Sequence, residues 1–144
     1  MANDPDEFRE TAACICFNLR RAARRMTQHY ERYLRPLGLR ATQFTVLAML
    51  AQSGPLPIHR LATNLGLERT TLTRNLRPLA ARGWVRVEER DDRRVHLVGI
   101  TEAGRAAARA ALPAWREAHA AAGAVLEELG LAEAVAARLR AGGH

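Results

Sequence analysis

The chain has 144 residues, 48% of them hydrophobic and 5% aromatic, and carries a formal net charge of +7. That apolar share excludes an intrinsically disordered chain, and the positive excess favours a polyanionic partner, nucleic acid ahead of a membrane surface. No apolar run approaches the roughly 20 residues that span a bilayer. The acidic start MANDPDEF lacks the apolar core of a signal peptide, so the expectation is a cytoplasmic, nucleoid-associated protein with its two cysteines reduced.

Residues 7 to about 34 hold no glycine or proline and read as one long helix. Phe8, Ala12, Ile15, Leu19, Ala22, Met26, His29 and Tyr33 step along it by four and three, the spacing of a face that packs on another helix. A stripe this long exceeds what one small core covers, so it points to a dimer interface. Arg20, Arg21, Arg24 and Arg25 lie beside it as a solvated basic face. Cys14 and Cys16 stand two apart on the same helix and point about 200° from each other. That spacing argues against a shared metal or a mutual bridge.

Pro36-Leu37-Gly38-Leu39 breaks this helix. Thr42 reads as the N-cap of a second helix, 43–52, with Phe44, Leu47, Leu50 and Ala51 inward. Ser53 to Leu56 reads as a loop. Pro57 can open a third helix, where its missing N–H does no harm. Ile58, Leu61, Ala62 and Leu65 would be its buried face, and Gly66 its end.

A fourth helix spans Glu68 to Arg82, and Gly83 stops it. Leu72, Leu76 and Leu79 fall on one face. Arg69, Thr70, Thr71, Thr73, Arg74, Asn75 and Arg77 fall mostly on the rest. Such a face suits a major groove, because arginine reads guanine and asparagine reads adenine. Glu68 is a weak cap, so Thr70 is a second choice for that role. Pro78 removes one backbone bond, and a kink is expected after the first two turns.

Trp84 to Arg90 alternates valine with polar residues, and Val95 to Ile100 returns, which reads as a β-hairpin. Its turn, Asp91-Asp92-Arg93-Arg94, carries arginines that can enter a minor groove. Thr101 is a good N-cap for a fifth helix. Leu112, Trp115, Ala118, Ala122 and Val125 continue an apolar stripe along it past a kink expected at Pro113. Gly130 separates a last helix, 131–140, carrying Leu131, Val135 and Leu139. The fold class is therefore mainly α with a small β-hairpin wing: a winged helix-turn-helix over residues 39–101. Residues 1–38 and 102–144 supply the N- and C-terminal helices of a dimerisation arm.

Residues 41–105 resemble the multiple antibiotic resistance regulator (MarR) family of bacterial transcription factors. The resemblance rests on Leu61-Ala62, Leu65-Gly66-Leu67, Thr70-Thr71-Leu72-Thr73-Arg74, Leu79, Gly83, Asp92-Arg93-Arg94 and Ile100-Thr101-Glu102-Ala103-Gly104-Arg105. The last two blocks are similar to the family's D-x-R wing tip and LTxxGR helix start. The resemblance implies a homodimeric DNA-binding regulator, with Asp92 bracing Arg94 and a wing-tip arginine on DNA. The expected contacts are Arg69, Thr70, Thr71, Thr73, Arg74 and Asn75 from the helix, and Arg90, Arg93 and Arg94 from the wing. The expected partner is double-stranded DNA bearing a pseudo-palindromic operator, half-sites roughly 10 base pairs apart.

The family commonly binds small aromatic acids between dimer arm and winged helix. Met26, His29, Tyr30, Tyr33, Phe44, Trp115 and His119 would line such a pocket here, with Arg25 or Arg32 holding the carboxylate. Cys16-Phe17 is similar in position to the reactive cysteine of the family's organic hydroperoxide repressors, with Tyr30 and Tyr33 available to assist. The competing reading of Cys14 and Cys16 is as small side chains in a helix interface. The histidines are too scattered for a metal motif, and no metal or cofactor is expected. No glycine-rich phosphate loop, nucleophile elbow, HExxH or matched carboxylate pair argues for an enzyme. A winged helix used for protein–protein contact is the rival function.

Overall fold

The computed structural model describes residues 6–89 and 96–141. A 3₁₀ helix, Arg9–Ala13, precedes α1 (Ile15–Leu34), α2 (Ala41–Ser53), β1 (Leu56–Pro57), α3 (Ile58–Leu65) and α4 (Arg69–Ala81). Then come β2 (Val85–Glu89), β3 (His96–Ile100), α5 (Glu102–Glu128) and α6 (Ala132–Ala141). The chain divides into two compact units, Met1–Tyr30 with Ala118–His144, and Glu31–Glu117.

The second unit is the winged helix-turn-helix. Its core is a set of aliphatic side chains that the helical and strand periods turn inward: Leu47 and Leu50 from α2, Leu61 from α3, Leu72 and Leu79 from α4, and Val98 from β3 are all fully buried. The antiparallel sheet has the order β1-β3-β2. Val85 lies opposite Ile100, Val87 opposite Val98, and Glu89 opposite His96. β1 was not expected, since 53–56 reads as a loop. Leu56 pairs with Val98 and Pro57 with Leu97. A proline is tolerated because β1 is an edge strand.

Several local expectations change. The first helix starts at Ile15, not Glu7, and Cys14 leaves the helical path with ψ 116°. Polar side chains take over backbone acceptors there: Thr11 Oγ1 donates to Phe8 O (2.7 Å), and Asn18 Nδ2 to Ala12 O and Cys14 O (both 2.9 Å). Such local bonds compete with a regular helix, and no packed face offsets them. Cys14 and Cys16 therefore do not share a helix. α2 starts two residues early. Its N-cap is Arg40 rather than Thr42, and Gln43 Oε1 accepts the Arg40 N–H at 3.0 Å. Glu68 caps α4 by backbone position alone, without a side-chain bond, and Thr70 lies within the helix. α4 runs unbroken through Pro78, and α5 through Pro113.

The end of α4 shows how the wing is set. Gly83 takes φ +70°, which only glycine adopts without strain. Its N–H bonds Ala80 O (2.9 Å), and the Trp84 N–H bonds Leu79 O (2.9 Å), the two-bond pattern that closes a helix at a left-handed glycine. The chain then leaves directly as β2. After β3, Thr101 fastens the base of the hairpin. Its hydroxyl donates to Gly83 O and accepts the Gly104 N–H at 3.0 Å, while its own N–H bonds Trp84 O at 3.0 Å. Gly104 must lack a side chain, because a Cβ there would lie 2.1 Å from Trp84 O. Arg105 Nη1 donates to Ala51 O at 3.2 Å, tying α5 to α2.

In the first unit, His29 is buried, and its Nε2 donates to Ala118 O at 2.7 Å. Ala118, Ala122 and Val125 are buried as expected. Among the described residues nothing covers the start of the stripe: Phe8, Ile15 and Leu19 are 67%, 76% and 57% exposed.

Candidate nucleic-acid interface

α4 separates its residues by face as the leucine spacing requires. Leu72, Leu76 and Leu79 are buried, while Arg69, Thr70, Thr73, Arg74 and Arg77 are exposed. Thr71 and Asn75 are half-buried, at the margins of the polar face. Thr73 Oγ1 donates to Arg69 O at 2.9 Å. Its hydroxyl oxygen keeps acceptor capacity for an outside donor. The wing-tip residues Arg90, Asp92, Arg93 and Arg94 lie outside the described residues. The strands that carry them stand beside α4.

That placement opens a cleft of about 290 Å³ between α4 and the hairpin. The inner face of the hairpin begins at Val85, 3% exposed, and continues outward to Val87, 46% exposed. Ile58, Leu76, Ala80 and Val87 form the apolar floor of the cleft, and Arg69, Thr73, Arg77 and His96 its polar lining. His96 Nδ1 stands 4.0 Å from Glu89 Oε1. Reading the strand residue by residue makes His96 a solvated side chain. Its pairing with Glu89 on the inner face of β2 puts it in the cleft instead. Arg82 is a further residue that periodicity does not single out. Its Nη1 donates to Gly38 O at 2.7 Å, and its guanidinium lies 4.7 Å from the Trp84 ring centroid. It braces the end of α4.

The residues expected to line an effector pocket form separate groups. In the first unit, Tyr30 packs edge-on to His29 (5.6 Å between centroids), and its hydroxyl meets His119 Nδ1 at 2.9 Å. Burial pushes the Tyr30 hydroxyl above its usual range. Met26 is half-buried. Arg25 pairs with Glu128 at 3.2 Å beside a groove of about 840 Å³ lined by Ile15, Leu19, Arg21, Arg24 and Leu131. In the second unit, Phe44 is buried in the core and stacks on half-buried Trp115, 6.2 Å between centroids at 24°. Tyr33 is half-buried. Cys14 and Cys16 are both exposed, and Arg20 Nη2 lies 3.4 Å from Cys16 Sγ. Among the described residues no group of three or more histidine, cysteine or acidic side chains is placed to hold a metal, and no helix is long and apolar enough to cross a membrane.

A helix-turn-helix joined to a three-stranded wing defines a winged-helix regulator. Residues 39–96 match the model of the MarR family, and the chain belongs to that family. It is similar to the M. tuberculosis transcriptional regulator MosR solved in complex with DNA, at 41% identity and a TM-score of 0.71, over 86% of this chain and 97% of that one. Two Bacillus subtilis proteins are also similar. The HTH-type transcriptional regulator YwoH is 31% identical over 88 residues, and the organic hydroperoxide resistance transcriptional regulator 30% identical over 91. The match spans 61% and 62% of this chain, and 64% and 62% of those two regulators.

Proposed function

We propose that the protein is a cytoplasmic, homodimeric, sequence-specific double-stranded DNA-binding regulator that acts as a repressor. The observation that carries this reading is the division of α4 into a buried leucine spine and an exposed arginine, threonine and asparagine face, set beside a wing. Arg69, Thr70, Thr71, Thr73, Arg74 and Asn75 meet bases and phosphates in a major groove. Arg90, Arg93 and Arg94 meet the adjoining minor groove, with Asp92 orienting Arg94. The likeness to a MosR–DNA complex supports the same partner. Three large apolar side chains left open on the N-terminal segment, Phe8, Ile15 and Leu19, support a second copy as their cover. Exposed apolar area of this kind marks an interface. In the dimer, residues 1–38 and 102–144 form the arm. A small aromatic acid bound by the dimer would change the separation of the two α4 helices. It acts by binding one separation better than the other.

The deciding measurement is a gel shift with the duplex upstream of the protein's own gene, alongside sedimentation of the free protein. A shifted band that resists scrambled competitor, from a dimeric protein, is expected. A monomer, or indifference to every fragment of that locus, refutes the reading.

A second reading has its own observation. The thiol of Cys16 is exposed and lies 3.4 Å from the Arg20 guanidinium. Together with the likeness to an organic hydroperoxide resistance regulator, this supports relief of repression by oxidation at Cys16, with Cys14 nearby in sequence. Mild cumene hydroperoxide should then add mass at Cys16 and release DNA. Unchanged binding removes this reading.

A further inference from the structure

Two exposed stretches of the first unit carry charge of opposite sign beside apolar side chains. The segment ahead of α1 holds Glu7 and Glu10 around Phe8, and α1 holds Arg21 and Arg24 beside Ile15 and Leu19. We infer that in the dimer the acidic segment of each copy crosses over and lies in the groove of about 840 Å³ beside the other copy's α1. Phe8 then rests on the apolar lining, and Glu7 and Glu10 meet Arg21 and Arg24. The inference rests on the homodimer reading and names a contact that holds the two copies together.

The groove has the chemistry for such an occupant. Ile15, Leu19, Leu129 and Leu131 give it an apolar lining, and Arg21, Arg24 and Arg25 make it basic. Arg25 is paired with Glu128 at 3.2 Å, whereas Arg21 and Arg24 meet no carboxylate among the described residues; Arg21 lies 5.7 Å from the Phe17 ring centroid. A segment that is both acidic and aromatic satisfies both parts of this lining. A sugar–phosphate strand has no side chain to fill the apolar part.

The segment has the matching chemistry. Phe8 is 67% exposed, and Glu7 and Glu10 are exposed without an arginine partner among the described residues, while Asp6 is taken by Arg9 at 3.7 Å. Phe8 does not line the groove of its own chain. The bonds from Thr11 Oγ1 to Phe8 O and from Asn18 Nδ2 to Ala12 O and Cys14 O hold the turn that keeps it outside. A segment ordered in advance loses little entropy when it docks. Two-fold symmetry forms each contact twice.

The test is sedimentation velocity of the full chain over a dilution series, which yields the dimer dissociation constant. Phe8→Ala should raise that constant roughly a hundredfold, about tenfold for each of the two seats. Charge reversal separates exchange from folding within one chain. Glu7→Arg with Glu10→Arg sets a basic segment against a basic groove, and Arg21→Glu with Arg24→Glu sets an acidic segment against an acidic groove. Each double variant alone should dimerise about tenfold or more weakly than wild type, because like charges then face each other. An equimolar mixture of the two should form a mixed dimer of near wild-type affinity, since both of its seats are complementary. A mixture that associates no better than either variant alone overturns the exchange and leaves the homodimer standing, as do two variants with the wild-type constant. So does an Arg21→Glu, Arg24→Glu protein that dimerises normally and has lost affinity for a scrambled duplex, which gives these arginines to DNA. Wild-type protein that stays monomeric at every concentration overturns the exchange and the homodimer together.

Discussion

Replacing Gly104 with alanine pits two effects against each other. Gly104 lies in the first turn of α5. Helix propensity alone predicts that alanine stabilises there by about 1 kcal/mol. The structure predicts the reverse, because the new Cβ would sit 2.1 Å from Trp84 O and 2.9 Å from Ile100 Cγ1. The oxygen belongs to backbone that also accepts the Thr101 N–H, so it cannot yield by a rotamer change. Forcing extra volume into a packed site costs about 1–3 kcal/mol. Parting Thr101 from Gly83 O forfeits about 1 kcal/mol more. The net expectation is a loss of about 2 kcal/mol, or roughly 4–8 °C in Tm. Gly123→Ala is the internal control. It lies in the same helix with nothing within 4 Å of its Cβ, so it should gain about 0.5–1 kcal/mol. Urea unfolding of both variants at one protein concentration measures the difference, which also holds any self-association constant. If Gly104→Ala is as stable as Gly123→Ala, the tight closure of α5 on Trp84 is wrong.

Leu72→Ala empties a fully buried site beneath the recognition face and should cost about 2–5 kcal/mol; a change under about 1 kcal/mol in the same urea assay would contradict the packing. Arg82→Ala removes the bond to Gly38 O and the stacking on Trp84. Its exposure limits the expected destabilisation to about 1 kcal/mol, with wild-type DNA affinity per folded molecule. Arg94→Ala should weaken all duplexes and flatten the salt dependence, and unchanged affinity at moderate salt would remove Arg94 from the wing contacts. Asn75→Ala should change the ranking of operator variants in a competition assay, whereas an equal loss on every sequence makes it a backbone contact.

The winged unit is legible in the sequence because its signals are local and agree with one another. The leucine spacing of 72, 76 and 79, the helix-ending Gly66 and Gly83, and the Thr101 cap each reappear in place. The misses have physical causes. β1 is two residues long and contains a proline, so no alternation can reveal it, and only pairing with β3 defines it. The early start expected for α1 rests on apolar spacing and on the lack of glycine and proline. Thr11 and Asn18 draw the backbone off the helical path, a competition that spacing does not register. His96 and Arg77 look like ordinary surface residues one at a time. Their shared cleft appears only when the register of β2 with β3 is known.

Thr101 touches the last turn of one helix, the root of the hairpin and the first turn of another, all within a few atoms. Anyone grafting a new reading head onto this scaffold from a relative should therefore move residues 83 to 105 as one cassette. A cut between Trp84 and Gly104 would join halves whose backbones were never fitted to each other.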